Sequence, residues 1–309
     1  MDDLRIHAGQ TGPLGQTGML VSRLGYGSMG IRGPRTWGVR VVSDADADSM
    51  LNAVLDAGIN LIDTSPDYGV SEERIGRFIS HRRDEFFLAT KCGCVYKQCE
   101  DHLELDHVWD ADVIRDNVQT SLRRLRTDHI DILQFHGGDA ETLVRQGLVD
   151  LLKELRWAGV IRHIGVSTSL PQIAAMVELG VFETFQIPYS VLAPEHSAWI
   201  ARAAAGGAGI IIRGGIAQGG PDAEIRRPKW NEIWQAARLD DFLEHGMTRA
   251  SLILRYTLSN PDCHSVIVGT CNRDHLAENV AAAAAGPLSP ETVAQMNARV
   301  QSCSAAQQQ

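Results

Sequence analysis

Gly25-Tyr26-Gly27-Ser28-Met29-Gly30, followed by Ile31-Arg32-Gly33-Pro34-Arg35, separates two architectures for this chain. The first six residues satisfy G-x-G-x-x-G and sit at a β-type run, as a dinucleotide-binding turn would. Such a turn must open a helix. Pro34 breaks any helix begun here, because proline lacks the N–H and its ring clashes with the preceding turn. The fingerprint is therefore rejected, and the segment is read as the end of a first strand in a different α/β arrangement.

Outward from it, one pattern recurs: a short apolar run, a polar or glycine-bearing turn, then helical spacing. The runs read as strands are Leu24–Gly27, Leu61–Asp63, Phe87–Lys91, Ile130–Phe135, Ile164–Ser167, Phe185–Ile187, Ile210–Arg213 and Val266–Gly269. Helices are expected at Asp46–Ala57, Glu72–Ser80, Ala111–Leu125, Leu148–Ala158, Pro171–Leu179 and Arg273–Ala283. Within the third, Val113, Ile114, Val118, Leu122 and Leu125 share one face, leaving Arg115, Asp116, Arg123 and Arg124 largely for solvent. Ser71 and Asn272 are placed as N-caps, and Ser289-Pro290 opens another helix. Strands alternating with helices pair in parallel through crossovers. Eight such units make a closed (β/α)8 TIM barrel more economical than an open sheet.

The length agrees. A barrel of this kind takes about 250 residues, and the chain has 309. The excess is assigned to an N-terminal hairpin at 4–20, a long loop at 214–246 and a flexible tail at 302–309, all in one domain spanning 1–309. A net charge of −9, with no long basic run, disfavours a nucleic-acid partner. No stretch approaches 18 apolar residues, and Met1-Asp2-Asp3 opens no secretory leader, so a cytoplasmic location away from membranes is expected. Six cysteines are too few for a disulfide framework. Cys92, Cys94 and Cys99, with His102 nearby, match neither a CxxC pair nor a zinc finger, so reduced thiols and no metal are expected. Nothing here fixes an oligomeric state.

Active sites in such barrels gather at the C-terminal ends of the strands. Asp63, Lys91 and His136 end three consecutive runs, and Tyr68 lies on the loop after the first of them, Asp63-Thr64-Ser65-Pro66-Asp67-Tyr68-Gly69. Four ionisable groups of complementary type on neighbouring strands argue for a catalytic centre. With Val21-Ser22-Arg23-Leu24-Gly25-Tyr26-Gly27, Thr90-Lys91, Phe135-His136, Gly165-Val166-Ser167, Val266-Ile267-Val268-Gly269 and Glu278-Asn279 in this order, nearly the whole chain resembles the aldo-keto reductase family. The resemblance implies an NAD(P)(H)-dependent oxidoreductase acting on a small-molecule carbonyl or alcohol, with the catalytic tetrad on Asp63, Tyr68, Lys91 and His136. Those types suit the chemistry. A phenol with pKa near 10 is a reluctant acid, and a neighbouring ammonium held by Asp63 makes it a better one.

The resemblance further implies that Ser167, Thr168 and Gln186 meet the nicotinamide carboxamide, with Gly27, Ser28 and Met29 near the ring. Thr168 replaces the asparagine of many relatives, and Arg213 replaces a stacking tyrosine. Gly214-Gly215-Ile216-Ala217 would approach the diphosphate, and Gly269, Thr270, Asn272, Arg273, Glu278 and Asn279 the adenosine end. Many relatives carry lysine at Gly269 and arginine at His275. NADP is the expected cofactor, with NAD as its competitor. Trp37, Trp109, Trp230 and Trp234 are candidate walls of an apolar substrate pocket. Three other readings remain open: an NAD-dependent sugar dehydrogenase of the same family, a nucleotide-binding regulatory subunit with slow turnover, and a Schiff-base enzyme using Lys91.

Overall fold

The structure, a computed structural model, describes residues 11–33, 41–98, 103–217 and 228–306. An antiparallel pair comes first, β1 (Thr11–Pro13) with β2 (Leu20–Ser22). The barrel strands β3 (Leu24–Gly27), β4 (Leu61–Asp63) and β5 (Phe87–Cys92) follow. A second antiparallel pair intervenes, β6 (Cys94–Gln98) with β7 (Leu103–His107). The barrel then resumes with β8 (Ile130–His136), β9 (Ile161–Ser167), β10 (Thr184–Pro188), β11 (Gly209–Arg213) and β12 (Ser265–Val268). The parallel ladder β3-β4-β5-β8-β9-β10-β11-β12 closes where Val266 of β12 registers with Leu24 of β3. This is a (β/α)8 TIM barrel, with each expected strand present within a few residues.

Outside it run α1 (Asp44–Asp56), α2 (Ser71–Phe78), α3 (Ala111–Leu125), α4 (Ala140–Arg145), α5 (Leu148–Trp157) and α6 (Ile173–Glu178). They are followed by α7 (Ser197–Ala205), α8 (Pro228–Ala236), α9 (Arg249–Leu258), α10 (Arg273–Ala284) and α11 (Pro290–Ala306). The G-x-G-x-x-G segment runs into a 3-10 turn, Ser28–Ile31, and among the described residues the next helix is α1, from Asp44. Asn272 caps α10 through Asp274 N, as its position suggested. Ser71 does not cap α2. Val70 takes that place, while the buried Ser71 hydroxyl donates to Ser28 Oγ at 2.7 Å and lies 3.1 Å from Thr64 Oγ1. The segment 214–246 is not simply a loop, since it carries α8 and a 3-10 turn at Leu239–Phe242. The tail expected to fray is helical to Ala306. Among the described residues no helix is long and apolar enough to cross a membrane.

Alternation along the strands builds the site's floor. Leu61, Ala89, Ile132, Ile211 and Ile267 form one buried cluster with Leu14, Met19 and Val21 of the N-terminal pair, which plugs that end of the barrel. Two residues further along the same strands stand Asp63, Lys91, Gln134, Arg213 and Gly269. A polar layer thus rests on an apolar one. Gly165 makes room for it, because a Cβ there would fall 2.3 Å from Thr184 Oγ1 and 3.0 Å from Gln134 Cγ.

Gly76 sets the closest approach of α2 to α3. A Cβ at Gly76 would lie 2.0 Å from Arg124 O and 2.6 Å from Leu125 C, both backbone atoms that no rotamer change can move. Gly76→Ala is expected to cost about 1–3 kcal/mol through forced separation of the helices. A lowered urea midpoint with unchanged slope would register it.

Candidate active site

Lys91 is wholly buried at the end of β5, and its ammonium donates to Asp63 Oδ1 at 2.9 Å, Asp63 Oδ2 at 2.8 Å and Thr64 O at 2.7 Å. Asp63 Oδ1 also accepts from Gln134 Nε2 at 3.1 Å and Gln186 Nε2 at 2.7 Å. Ser167 Oγ in turn donates to Gln186 Oε1 at 2.9 Å. Four strands therefore converge on one carboxylate. Burial alone would discharge the lysine, but Asp63 and then Tyr68 outweigh it and hold the ammonium above its ordinary pKa. A nucleophilic amine must be neutral, so the Schiff-base reading of Lys91 loses its support.

Tyr68 is positioned by its loop. Tyr68 N donates to Ser65 O at 3.0 Å, Gly69 N to Tyr96 Oη at 2.8 Å, and Val70 N to Arg32 O at 2.9 Å. The Lys91 ammonium stands 5.1 Å from the Tyr68 ring centroid, and its hydrogen bonds go to Asp63 and Thr64. It therefore acts on the phenol through space. Burial pushes the phenol up to about 12, against the pull of Lys91. The ammonium does lower this pKa, as expected, but in the folded chain desolvation is the larger effect.

His136 faces Tyr68 edge-on, with ring centroids 6.4 Å apart. Its Nδ1 lies 3.2 Å from Asp67 Oδ2 and 3.4 Å from Cys94 Sγ. The β6–β7 pair brings His107 to 4.8 Å from His136, centroid to centroid, and Trp109 stacks on His107 at 6.2 Å. A Cβ on Gly93 would fall 2.4 Å from the Trp109 indole, so the glycine makes space for that ring. Trp109 therefore does stand beside the site. Trp230 packs on the core from α8. Trp234, expected on a pocket wall, is instead wholly buried among the described residues, and its Nε1 donates to Asp240 Oδ1 at 2.9 Å. Trp37 lies outside the described residues.

Sequence reasoning missed Asp67, His107 and Gln134. Gln134 was recoverable by counting two residues on from Ile132. The alternation Leu103-Glu104-Leu105-Asp106-His107 is the sequence signal of the strand that carries His107.

The residues assigned to the cofactor ring the same barrel end. Arg213 ends β11 with its Nε buried and without a hydrogen-bond partner. Burial lowers its pKa, while Tyr68 and Asp63 act in the opposite sense, so all three groups share one field. Gly214–Ala217 forms a turn in which Ala217 N donates to Gly214 O at 2.8 Å, and Gly214 has φ +67° with open space at its Cβ position. Gly27 and Gly269 lie against each other, a Cβ on Gly269 falling 3.0 Å from Gly27 O. Ser28 is buried, and Met29 O accepts from Arg32 Nη1 at 2.8 Å. Thr168 N donates to Gln186 O at 3.0 Å, and Tyr26 Oη to Thr270 O at 2.9 Å. At the far end Arg273 Nη1 donates to Ser49 Oγ at 2.9 Å, and Glu278 accepts from Thr248 and Ser251, with Asn279 buried beside it. An unpaired buried guanidinium nitrogen beside an open glycine turn fits the anionic diphosphate of a nicotinamide dinucleotide.

Comparison with known proteins agrees. The family model for the Aldo/keto reductase family matches residues 23–301. The uncharacterized oxidoreductase YqkF of Bacillus subtilis is 28% identical over 298 residues, covering 91% of this chain and 93% of its own. The NADH-specific methylglyoxal reductase of Escherichia coli is 28% identical, covering 87% of this chain and 92% of its own. Among solved structures, the holo form of aldo-keto reductase AKR11C1 from Bacillus halodurans aligns with a TM-score of 0.81 at 27% identity, over 94% of this chain and 96% of that one.

Proposed function

The chain belongs to the aldo/keto reductase family of oxidoreductases acting on carbonyls and alcohols, and on that premise we propose that Tyr68 is the proton donor and acceptor of its site. The observation that carries this reading is the buried Asp63–Lys91 pair beneath Tyr68, with His136 across from the phenol. When bound, the nicotinamide exchanges a hydride with the substrate carbon. Tyr68 gives its proton to the oxygen as alkoxide character develops there. His136 orients that oxygen, and Lys91, fixed by Asp63, lends positive potential that favours the phenolate left behind. Ser167, Gln186 and Thr168 would hold the carboxamide, and Arg213 with the 214–217 turn would hold the diphosphate. Trp109 walls the substrate pocket. In the alcohol-oxidising direction the same groups serve, with Tyr68 as base.

NADPH is the proposed cofactor, its 2′-phosphate meeting the N-terminus of α10 with Thr270, Asn272 and Arg273. A specific observation favours the second reading, NADH. Arg273 is already engaged with Ser49, Asp274 occupies the first turn of α10, and Gly269 and His275 replace cations. Turnover of a generic aldehyde with each nucleotide, followed by nicotinamide absorbance, tests both. Many turnovers with higher kcat/KM for NADPH are expected. A preference for NADH beyond roughly tenfold, about 1.4 kcal/mol, gives the second reading. A single turnover would replace catalysis with a nucleotide-binding role.

A further inference from the structure

Four side chains that approach in space are scattered in sequence. Asp67 comes from the loop after β4, Cys94 from the start of β6, His107 from the end of β7, and His136 from the end of β8. We propose that these four residues form a binding site for a divalent transition metal of zinc's class, sharing His136 with the reaction site.

The donor atoms all lie within 4.8 Å of one another. His136 Nδ1 is 3.2 Å from Asp67 Oδ2 and 3.4 Å from Cys94 Sγ, while His107 Nε2 is 3.9 Å from Asp67 Oδ2. A tetrahedral zinc with bonds of about 2.0–2.3 Å places its donors about 3.3–3.8 Å apart. Small side-chain movements therefore close the shell. Asp67 supplies an independent sign: it is 3% exposed, and its Oδ1 is buried without a hydrogen-bond partner. Cys94 is held in place by Asn117, whose Oδ1 accepts from Cys94 N at 2.9 Å and whose Nδ2 donates to Cys94 O at 3.0 Å. His107 is partly exposed, which gives an ion its way in.

Two imidazoles, a thiol and a carboxylate select zinc, cobalt or copper over magnesium or calcium. Coordination sends the Cys94 thiol proton to solvent, and the thiolate and carboxylate balance the ion's two charges with no change of oxidation state. The cluster is distinct from the Cys92/Cys94/Cys99 run, with which it shares only Cys94. Occupation would also draw on His136 and on Asp67, the residue before Tyr68. A misplacement of about 1 Å at a reacting centre costs roughly 10²-fold in rate, so zinc should inhibit reversibly. This last step rests on the function proposed above, whereas the binding does not.

The test uses the full chain freed of metal by a chelator, then titrated with cobalt(II) and with zinc. One cobalt per chain is expected, with a thiolate-to-cobalt charge-transfer band and the intense visible bands of four-coordination. Cys94→Ser should abolish the charge-transfer band and Cys303→Ser should keep it. His107→Ala, on the outer hairpin, should weaken zinc binding about 100-fold, with circular dichroism verifying the fold of each variant. A spectrum without the thiolate band, or a band that survives Cys94→Ser, overturns the site. Zinc should slow turnover at least tenfold, with chelator restoring it; unchanged turnover at full occupancy overturns the inhibition. A chain inactive with every aldehyde would sink the proposed function, while the cobalt spectrum would still decide the site.

Discussion

Tyr68→Phe is expected to lower kcat for carbonyl reduction by about 10²–10⁴-fold, the usual worth of general acid help, and to leave nucleotide affinity intact. Phenylalanine keeps the ring that meets His136 edge-on and lies 5.1 Å from the Lys91 ammonium, and removes only the hydroxyl. With the phenol held at about 12, the proton moves only when the developing alkoxide becomes the stronger base. The loss should therefore fall on kcat, with nucleotide binding by fluorescence titration unchanged. The sign of the pH effect follows. A phenol that keeps its proton until the pH nears 12 gives no earlier alkaline fall in kcat/KM, the quantity that reports the free enzyme. An alkaline limb far below that value that vanished in Tyr68→Phe would show Lys91 outweighing burial.

What could be read beforehand follows from where the information lies. The barrel was legible because each strand is a short apolar run whose boundary coincides with a change of residue type. Asp63, Lys91 and His136 stood out because each ends such a run. Asp67 and His107 did not, because their neighbours are set by the loop after β4 and by the β6–β7 hairpin, which depend on tertiary pairing across Cys94↔His107. Trp234 misled for a related reason. Its segment was read as a loop, and only the packing of α8, with Asp240 on its indole N–H and Arg249 over its ring, takes it out of reach. The adenosine end is similar: Arg273 looks free in sequence, and its engagement with Ser49 exists only once α1 and α10 are neighbours.

The largest stability effect should come from splitting the pair below Tyr68. Lys91→Met leaves Asp63 buried with only the amides of Gln134 and Gln186 as partners. Asp63→Asn leaves the ammonium buried without its hydrogen-bonded carboxylate, with only Thr64 O and the weaker field of Asp67 in its favour. Breaking a buried pair from one side typically costs about 3–5 kcal/mol, because the remaining charge has neither water nor counter-ion. Removing both charges in Asp63→Asn/Lys91→Met should recover most of that loss, since methionine fills the apolar stem's place and the carboxamide still meets the glutamines. Denaturant unfolding of the two single variants and the double one closes the cycle, and a coupling of at least about 1 kcal/mol is expected. Activity should not return with stability, because the double variant lacks the ammonium of Lys91 that favours the Tyr68 phenolate. The pH window distinguishes this pair from surface ion pairs. Burial works against the ammonium, but Asp63 and Tyr68 raise its pKa above the unfolded value. Its contribution is then complete below about pH 10.4, the unfolded lysine value, and fades only as the pH climbs toward the higher folded one. The stability gap between the wild-type chain and Lys91→Met should therefore hold steady from neutrality to the onset of lysine titration. A double variant no more stable than the worse single would mean that each group is anchored by its other contacts, and that Lys91 and Asp63 do not act as a unit.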